Sequence, residues 1–382
     1  MRILGKGLTA QAIANKFENT KMYDDADFQN FDVESDELTV VSPGIPPHNK
    51  MVQSSKNLVS EYDLFSDVMP FSVWISGTNG KTTTTEMLDF LLKDHGVQTG
   101  GNIGNPLANL DQKSNIWVLE TSSFTLHYTN RAYPNIYILL PISEDHIYWH
   151  GSYEAYIEAK LKPLSMMKEG DIAIIPQKFN DIKSDAYKIC YENSHHLAEI
   201  FEFDYESIKF LEPFKMDALL ALAVYKILFD KNMVDFLNQY KVDEHKIEKF
   251  VDGLGRIWID DSKATNVDAV IWALKNFERK KIYIILGGDD KGADLTPLFD
   301  ELIKYDIEIF AIGKNQNRLE EFSKNYKLPI KLCNLLEIAV NEINNIHNKD
   351  SVALLSPAAA SLDQFKGYKH RGQMFKKFVE NL

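Results

Sequence analysis

Apolar positions in this chain come in short runs separated by polar or glycine-bearing stretches, and strand-like runs alternate with helical spacing. Three blocks of this alternation follow one another, over residues 1–62, 63–242 and 243–382. The first opens with a strand over Arg2 to Leu4. Gly5, Gly7 and Ala10 follow in GxGxxA spacing and lead into a helix; a second strand ends near Asp24, and LTVVSPGI at 38–45 predicts a third. The second block has an apolar strand from Phe71 to Ile75 and a helix from Lys81 that Gly96 can end. Further strand-like runs lie at 116–120, 135–140 and 172–175. Between the last two lies an amphipathic helix, SYEAYIEAKLKPLSMM, with Ser152 placed to cap it and Lys160 in its interior. The third block begins with a hairpin, HKIEKFV, DGLG and RIWIDD. It continues as helix 266–277, strand 281–286, helix 295–304, strand 307–312, helix 315–325, strand 329–333, helix 335–347, strand 352–355 and a last helix. This rhythm predicts an α/β protein with mostly parallel sheets covered by helices. No low-complexity segment or short solenoid repeat interrupts it.

The strand–loop–helix at 71–96 is the most specific of these units. Its loop, GTNGKT, comprises Gly77, Thr78, Asn79, Gly80, Lys81 and Thr82. Glycines bare backbone N–H groups, and the helix that follows turns its positive end toward the loop; together they cradle phosphate. Lys81 adds a point charge for the terminal phosphates, and Thr82 a hydroxyl for Mg²⁺. The common phosphate loop, GxxxxGK[ST], would have a glycine at Ile75; here the loop is shorter. Strand, loop and helix in that order predict a nucleoside triphosphate site.

Composition narrows the classes. Across 382 residues, 45% are hydrophobic and 25% charged, as in a soluble globular protein of two or three domains. A net charge of −13 argues against a general nucleic-acid binder but permits small anionic substrates, since salt screens a distant field. Cys190 and Cys333 have no metal-ligand spacing and suggest no disulfide framework, so buried thiols in a reducing compartment are expected. No apolar run approaches the ~20 residues of a membrane span. The N-terminal MRILGKGLTAQ turns polar too early for a signal peptide, and a cytoplasmic protein is expected.

Other polar residues fall where ligands gather in open α/β sheets, just past strand ends. Glu120 and the pair Asp145 and His146 lie there in the second block. With Thr82 they are candidate metal donors; alternatively Glu120 caps a loop, Asp145 makes a turn and His146 is a satisfied polar group. Lys160 is either a solvated helix residue or part of that site. In the third block DDSKATN (260–266), GGDDKGAD (287–294) and LSPAAASLDQF (355–365) each leave a strand. They carry Lys263, Thr265, Lys291 and Ser361, a set suited to a carboxylate if the loops share one sheet edge. Ordinary βα loops with solubilising lysines are the alternative. The GxGxxA start of the first block fits either a nucleotide site or a Rossmann-like scaffold without a ligand.

Taken in order, GTNGKT, GGNIG (100–104), ETSSF (120–124), EDH (144–146), EAYIEAK (154–160), DSKATN (261–266), GGDDKGAD and SPAAASLDQF resemble the Mur ligase family, and within it the enzymes that add D-glutamate. The resemblance covers nearly the whole chain. It implies three domains: a Rossmann-like N-terminal domain for a UDP-substrate, a central ATP-binding P-loop domain, and a Rossmann-like C-terminal domain for the amino acid. It implies an ATP-dependent ligase that joins D-glutamate to UDP-N-acetylmuramoyl-L-alanine through an acyl phosphate, in peptidoglycan precursor synthesis. ATP and two Mg²⁺ would be the cofactors, and a monomer acting on small molecules is expected, with no nucleic-acid or membrane partner. Lys81, Asn102, His146 and Lys160 would be the catalytic set. Thr82 and Glu120 would hold one Mg²⁺; His146 and a carbamylated Lys160 would hold the other. The loop residues Gly77 to Thr82, with Lys246 and Asp261, would bind ATP. Leu8, Thr9, Asp24, Asn102 and Ser122 would bind the UDP-substrate, and Lys263, Thr265, Lys291, Ser361, Leu362 and Tyr368 D-glutamate.

The chain departs from the family pattern in three places. His245-Lys246 stands where the family has His-Arg, and a lysine keeps the charge without the bidentate fork. The family's HNxxN segment has Pro213, Phe214 and, at its last position, Asp217; beside Asp24 a Thr-Arg pair is replaced by Asp25 and Ala26. Other amide ligases of the superfamily are the near alternative, but no DNPR-type signature of the diamino-acid-adding enzymes is present. A P-loop NTPase without ligase chemistry leaves the last block's loops without a purpose. A dinucleotide-dependent oxidoreductase built on Gly5, Gly7 and Ala10 ignores the phosphate loop.

Overall fold

Continuous Val/Ile/Leu-rich runs become strands buried on both faces, which is what parallel sheets under helices require. The computed structural model describes residues 1–382 and contains three sheets. The first holds β1 (Arg2–Leu4), β2 (Lys21–Tyr23), β3 (Thr39–Val41) and β4 (Leu58–Val59), all parallel, in the order β2-β1-β3-β4.

The second holds β5 (Phe71–Ser76), β6 (Val97–Gly101), β7 (Ile116–Glu120), β8 (Ile136–Leu139), β9 (Ile172–Pro176) and β10 (Tyr187–Tyr191), again parallel, in the order β10-β9-β8-β5-β7-β6. From β5 the chain runs through helix Lys81–Leu92 to the far edge, returns to β7, and then crosses to β8 on the other side of β5. That reversal opens a crevice beyond the carboxyl end of β5, where the phosphate loop sits. Helix Phe214–Phe229, apolar nearly all round, packs on helix Lys81–Leu92.

The third sheet holds β11 (Glu248–Val251), β12 (Ile257–Asp260), β13 (Lys281–Gly287), β14 (Ile307–Ile312), β15 (Ile330–Asn334) and β16 (Ser351–Leu355), in the order β11-β12-β16-β13-β14-β15. Only β11 is antiparallel, paired with β12 as the predicted hairpin.

By their contacts, residues 1–210 and 214–240 form one compact unit, and residues 211–213 and 241–382 another. Within the first unit one core runs from Ile3, Ala10, Ile13 and Val40 to Trp74, Trp117 and Leu164, so the first two sheets share their apolar interior. The second unit closes on Trp258, Ile285, Phe310, Val340 and Phe375. No helix is long and apolar enough to cross a membrane. Both thiols are free; Cys333 is buried, whereas Cys190 is only half-buried.

Candidate functional site

The phosphate loop is shaped by its two glycines. Gly77 has φ +142° and Gly80 φ +86°, conformations costly for any residue with a Cβ. A side chain at Gly77 would also strike Leu140, and one at Gly80 would strike Asp217. Gly80, at the N-cap of helix Lys81–Leu92, brings no side-chain acceptor of its own to the first-turn amides. Lys81 Nζ folds back over the loop and donates to the carbonyls of Gly77 (3.0 Å) and Thr78 (2.7 Å). The Thr78 hydroxyl fixes the loop from behind, donating to Ser143 O at 3.0 Å and lying 2.9 Å from the Tyr156 hydroxyl.

Glu120 ends β7 beside this loop. Its buried carboxylate receives the Thr82 hydroxyl on one oxygen (2.7 Å) and the Asn102 amide on the other (2.6 Å). The backbone N–H of Asn102 donates to the Glu120 carbonyl at 2.8 Å, so GGNIG and ETSSF are joined twice. Ser122 caps helix Ser123–Tyr128 by accepting from Thr125 N at 3.1 Å.

Lys160 is 1% exposed, not solvated. Its Nζ donates to Gly77 O at 2.7 Å and lies 4.8 Å from the Tyr156 ring centroid. Burial, and then the charge of Lys81, push its pKa well below the ordinary lysine value. His146 occupies the left-handed region at φ +55°, with its N–H on Asp145 Oδ1 (2.8 Å) and its ring 4.7 Å from that of Phe124. Lys81, Thr82, Asn102, Glu120 and Lys160 are therefore linked around one loop. Sequence reasoning missed Tyr156, although its place one helical turn before Lys160 puts both on one face.

At the carboxyl edge of the first sheet, Gly7 caps helix Leu8–Lys16; Leu8 is exposed and Thr9 half-buried. Asp24 caps the turn Asp25–Asn30, and its other oxygen pairs with Lys6 at 2.7 Å. Lys6 also reaches Asp27 at 2.8 Å; sequence reasoning passed over this lysine in the GKG loop.

In the second unit, β12, β16 and β13 are neighbours, so the three loops leaving them emerge side by side. Backbone bonds stitch them: Ala358 N to Ala264 O (3.1 Å), Gly287 N to Pro357 O (2.8 Å), and a reciprocal pair between Asp289 and Ala360. Asp261 is buried, with its carboxylate on the Ser356 hydroxyl (2.6 Å) and the Ile247 amide (3.2 Å); burial raises its pKa to about 8. Lys263, Thr265, Lys291 and Leu362 are exposed and Ser361 is buried. Tyr368 is half-buried, with Lys263 Nζ 4.3 Å from its ring centroid. Lys246 pairs with Asp243 at 3.1 Å. Arg371, which nothing in the sequence singled out, is 1% exposed and binds Ser262 O (2.9 Å), Ser262 Oγ (3.0 Å) and Ala359 O (3.1 Å).

Residues 75–199 match the family described as Mur ligase middle domain. A UDP-N-acetylmuramoylalanine–D-glutamate ligase from Campylobacter jejuni (strain 81-176) is 46% identical, covering 100% of this chain and 99% of the relative. The ligase of the same name from Helicobacter pylori (strain HPAG1) is 42% identical over 99% of this chain and 98% of its own. Among solved structures, the MurF ligase from Thermotoga maritima, in complex with ADP, aligns with a TM-score of 0.60 at 16% identity, covering 90% of this chain and 89% of that one. Phosphate loop, ordered motifs and end-to-end likeness converge: the chain belongs to the UDP-N-acetylmuramoylalanine–D-glutamate ligases of the Mur ligase family.

Proposed function

We propose that this chain is an ATP-dependent amide ligase that adds D-glutamate to UDP-N-acetylmuramoyl-L-alanine in peptidoglycan precursor synthesis. The observation that carries the reading is the Glu120 bridge. One buried carboxylate joins the phosphate-loop hydroxyl of Thr82 to the Asn102 amide, linking the nucleotide cradle to the GGNIG segment.

The proposed chemistry starts with the alanine carboxylate of the acceptor attacking the γ-phosphorus of ATP, releasing ADP and leaving an acyl phosphate. The amine of D-glutamate attacks the acyl carbon, and the tetrahedral adduct expels phosphate. Activation replaces a poor leaving group by a good one, so the protein's part is alignment and charge stabilisation. Lys81 serves the β- and γ-phosphates, and Asn102 orients the muramoyl group. Leu8, Thr9, Asp24 and Ser122 belong to the UDP-substrate side, and Lys246 and Asp261 to the ATP side. Lys263, Thr265, Lys291, Ser361, Leu362 and Tyr368 surround D-glutamate.

The donors beside the loop suit magnesium. The Thr82 hydroxyl and the Glu120 carboxylate are hard oxygen ligands 2.7 Å apart. His146 and Lys160 would hold a second ion only if Lys160 bears oxygen. Burial and the charge of Lys81 favour the uncharged amine of Lys160, the form that can make an N–C bond to CO₂ with loss of a proton to give a carbamate. Magnesium, when bound, neutralises the charge of the triphosphate. A monomer working in the cytoplasm on small molecules completes the reading.

The test supplies purified protein with ATP, Mg²⁺, UDP-N-acetylmuramoyl-L-alanine and a panel of amino acids, and follows phosphate release. Release is expected only when acceptor and D-glutamate are both present. Equal turnover with L-lysine, or none with any amino acid, overturns the assignment.

A further inference from the structure

Four consecutive polar residues, Ser60, Glu61, Tyr62 and Asp63, lie between β4 and β5 and are 2%, 5%, 2% and 4% exposed. Polar side chains at such depth persist only where each has a partner. Here the partners lie on three separate segments around the second sheet, residues 107–108, 120–121 and 129–132. Ser60 Oγ accepts from Thr129 Oγ1 at 2.9 Å. The Glu61 carboxylate accepts from the amides of Ala108 (3.1 Å) and Leu107. The Tyr62 hydroxyl donates to the Glu120 carbonyl at 3.4 Å and lies 3.2 Å from Thr121 Oγ1. Asp63 takes the amides of Asn130, Arg131 and Ala132, all at 2.8–2.9 Å.

Two of these attachments bracket the residues that join the nucleotide cradle to the acceptor. Tyr62 reaches the same Glu120 carbonyl that receives Asn102 N–H. A Cβ at Gly101 would collide with both that carbonyl and the Tyr62 hydroxyl, so the loop is seated directly on this pair. Glu61 holds the turn Leu107–Asn109, at the other end of the segment carrying Asn102. The Tyr62 ring is fixed in turn by edge-to-face packing on Trp74 of β5, with centroids 4.7 Å apart.

We propose that residues 60–63 form a positioning strap, in which Tyr62 and Glu61 fix Glu120 and the Asn102 segment in register for the UDP-muramoyl acceptor. None of the four need touch substrate: Tyr62 and Glu61 act through Glu120 and the Asn102 segment, while Ser60 and Asp63 anchor the strap to residues 129–132. The proposal rests on the ligase reading above, and turnover of the wild-type enzyme tests that reading independently of any strap variant.

The experiment compares Tyr62→Phe, Glu61→Gln and Glu61→Ala in the full chain by steady-state kinetics with each substrate varied, by thermal unfolding, and by amide hydrogen exchange over residues 101–109. Tyr62→Phe keeps the ring on Trp74 and removes only the hydroxyl. It is expected to lower kcat/KM for the acceptor about tenfold while KM for D-glutamate and the thermal midpoint stay near wild type, and to speed exchange in 101–109. Glu61→Gln keeps an oxygen for Ala108 N and should retain most of the acceptor affinity that Glu61→Ala loses. An unchanged acceptor KM and unchanged exchange in Tyr62→Phe and Glu61→Ala overturn the proposal. So does a loss of kcat in proportion to lost folded protein, with no KM moving.

Discussion

Lys160 is the residue whose meaning depends most on its surroundings. A lysine in an amphipathic helix is ordinarily a solvated, helix-favouring residue. Here the helix turns it inward, onto the carbonyl of Gly77, where Lys81 is a second positive group. An uncompensated ammonium at that depth is costly, and the depressed pKa reflects this. If the proposed carbamate forms there, the side chain gains oxygens and a negative charge, and Lys81 becomes a favourable neighbour. Lys160→Ala is therefore expected to lose nearly all ligase activity, with added bicarbonate or short carboxylic acids restoring part of it by entering the vacated volume. Full activity in the variant would return Lys160 to a packing role. Thermal unfolding of the same variant separates the two effects, since removing a buried amine leaves the helix itself intact.

At the scale of elements, the central strands were legible because both their faces are covered: FSVWIS, IWVLE, IYIL, KIYIILG and IEIFAI are nearly unbroken apolar runs. The strands β4, β6 and β10 went unpredicted. LV is too short to register, VQTGG lacks a hydrophobic run, and YKICY is an edge strand with mixed burial. The phosphate loop could be read locally, because its chemistry lies in consecutive residues. The Glu120 bridge and the strap at 60–63 could not, because buried polar residues look like surface until their distant partners are in place. Arg371 is another such case. From helix Tyr368–Glu380 it reaches back to tie the loop after β12 to the loop after β16. Arg371→Ala would leave the Ser262 and Ala359 carbonyls short of a donor at full burial, at a cost of about 3 kcal/mol. KM for D-glutamate should rise while KM for ATP changes less. Denaturant unfolding measures the first effect and steady-state kinetics the second; a wild-type midpoint with unchanged KM would refute this stitching role.

For the whole molecule, buried titratable groups set a pH window for stability. Burial pushes Glu61 up to about 7 and Asp261 up to about 8, so the folded chain holds these protons where the unfolded chain has released them. Each acid thus contributes a loss of stability that begins above its unfolded pKa and is complete only above its folded one. His150 and His347 act in the opposite sense. Both are lowered to about 4, chiefly by burial, so the unfolded state binds their protons more readily and stability rises with pH up to the ordinary histidine range. Between about pH 4.5 and 6.5 the two pairs oppose each other, and above that range only the acids still titrate. Stability is therefore expected to be nearly level from about pH 4.5 to 6.5 and to fall by about 2 kcal/mol toward pH 8.5, most of it from Asp261. Asp261→Asn cannot ionise and should flatten this alkaline limb, whereas a substitution at exposed Asp350 should leave it unchanged. Urea unfolding at half-unit pH steps for wild type and both variants tests this. An Asp261→Asn curve that declines as steeply as wild type above pH 6.5 would mean that the proton on that buried carboxyl plays no part.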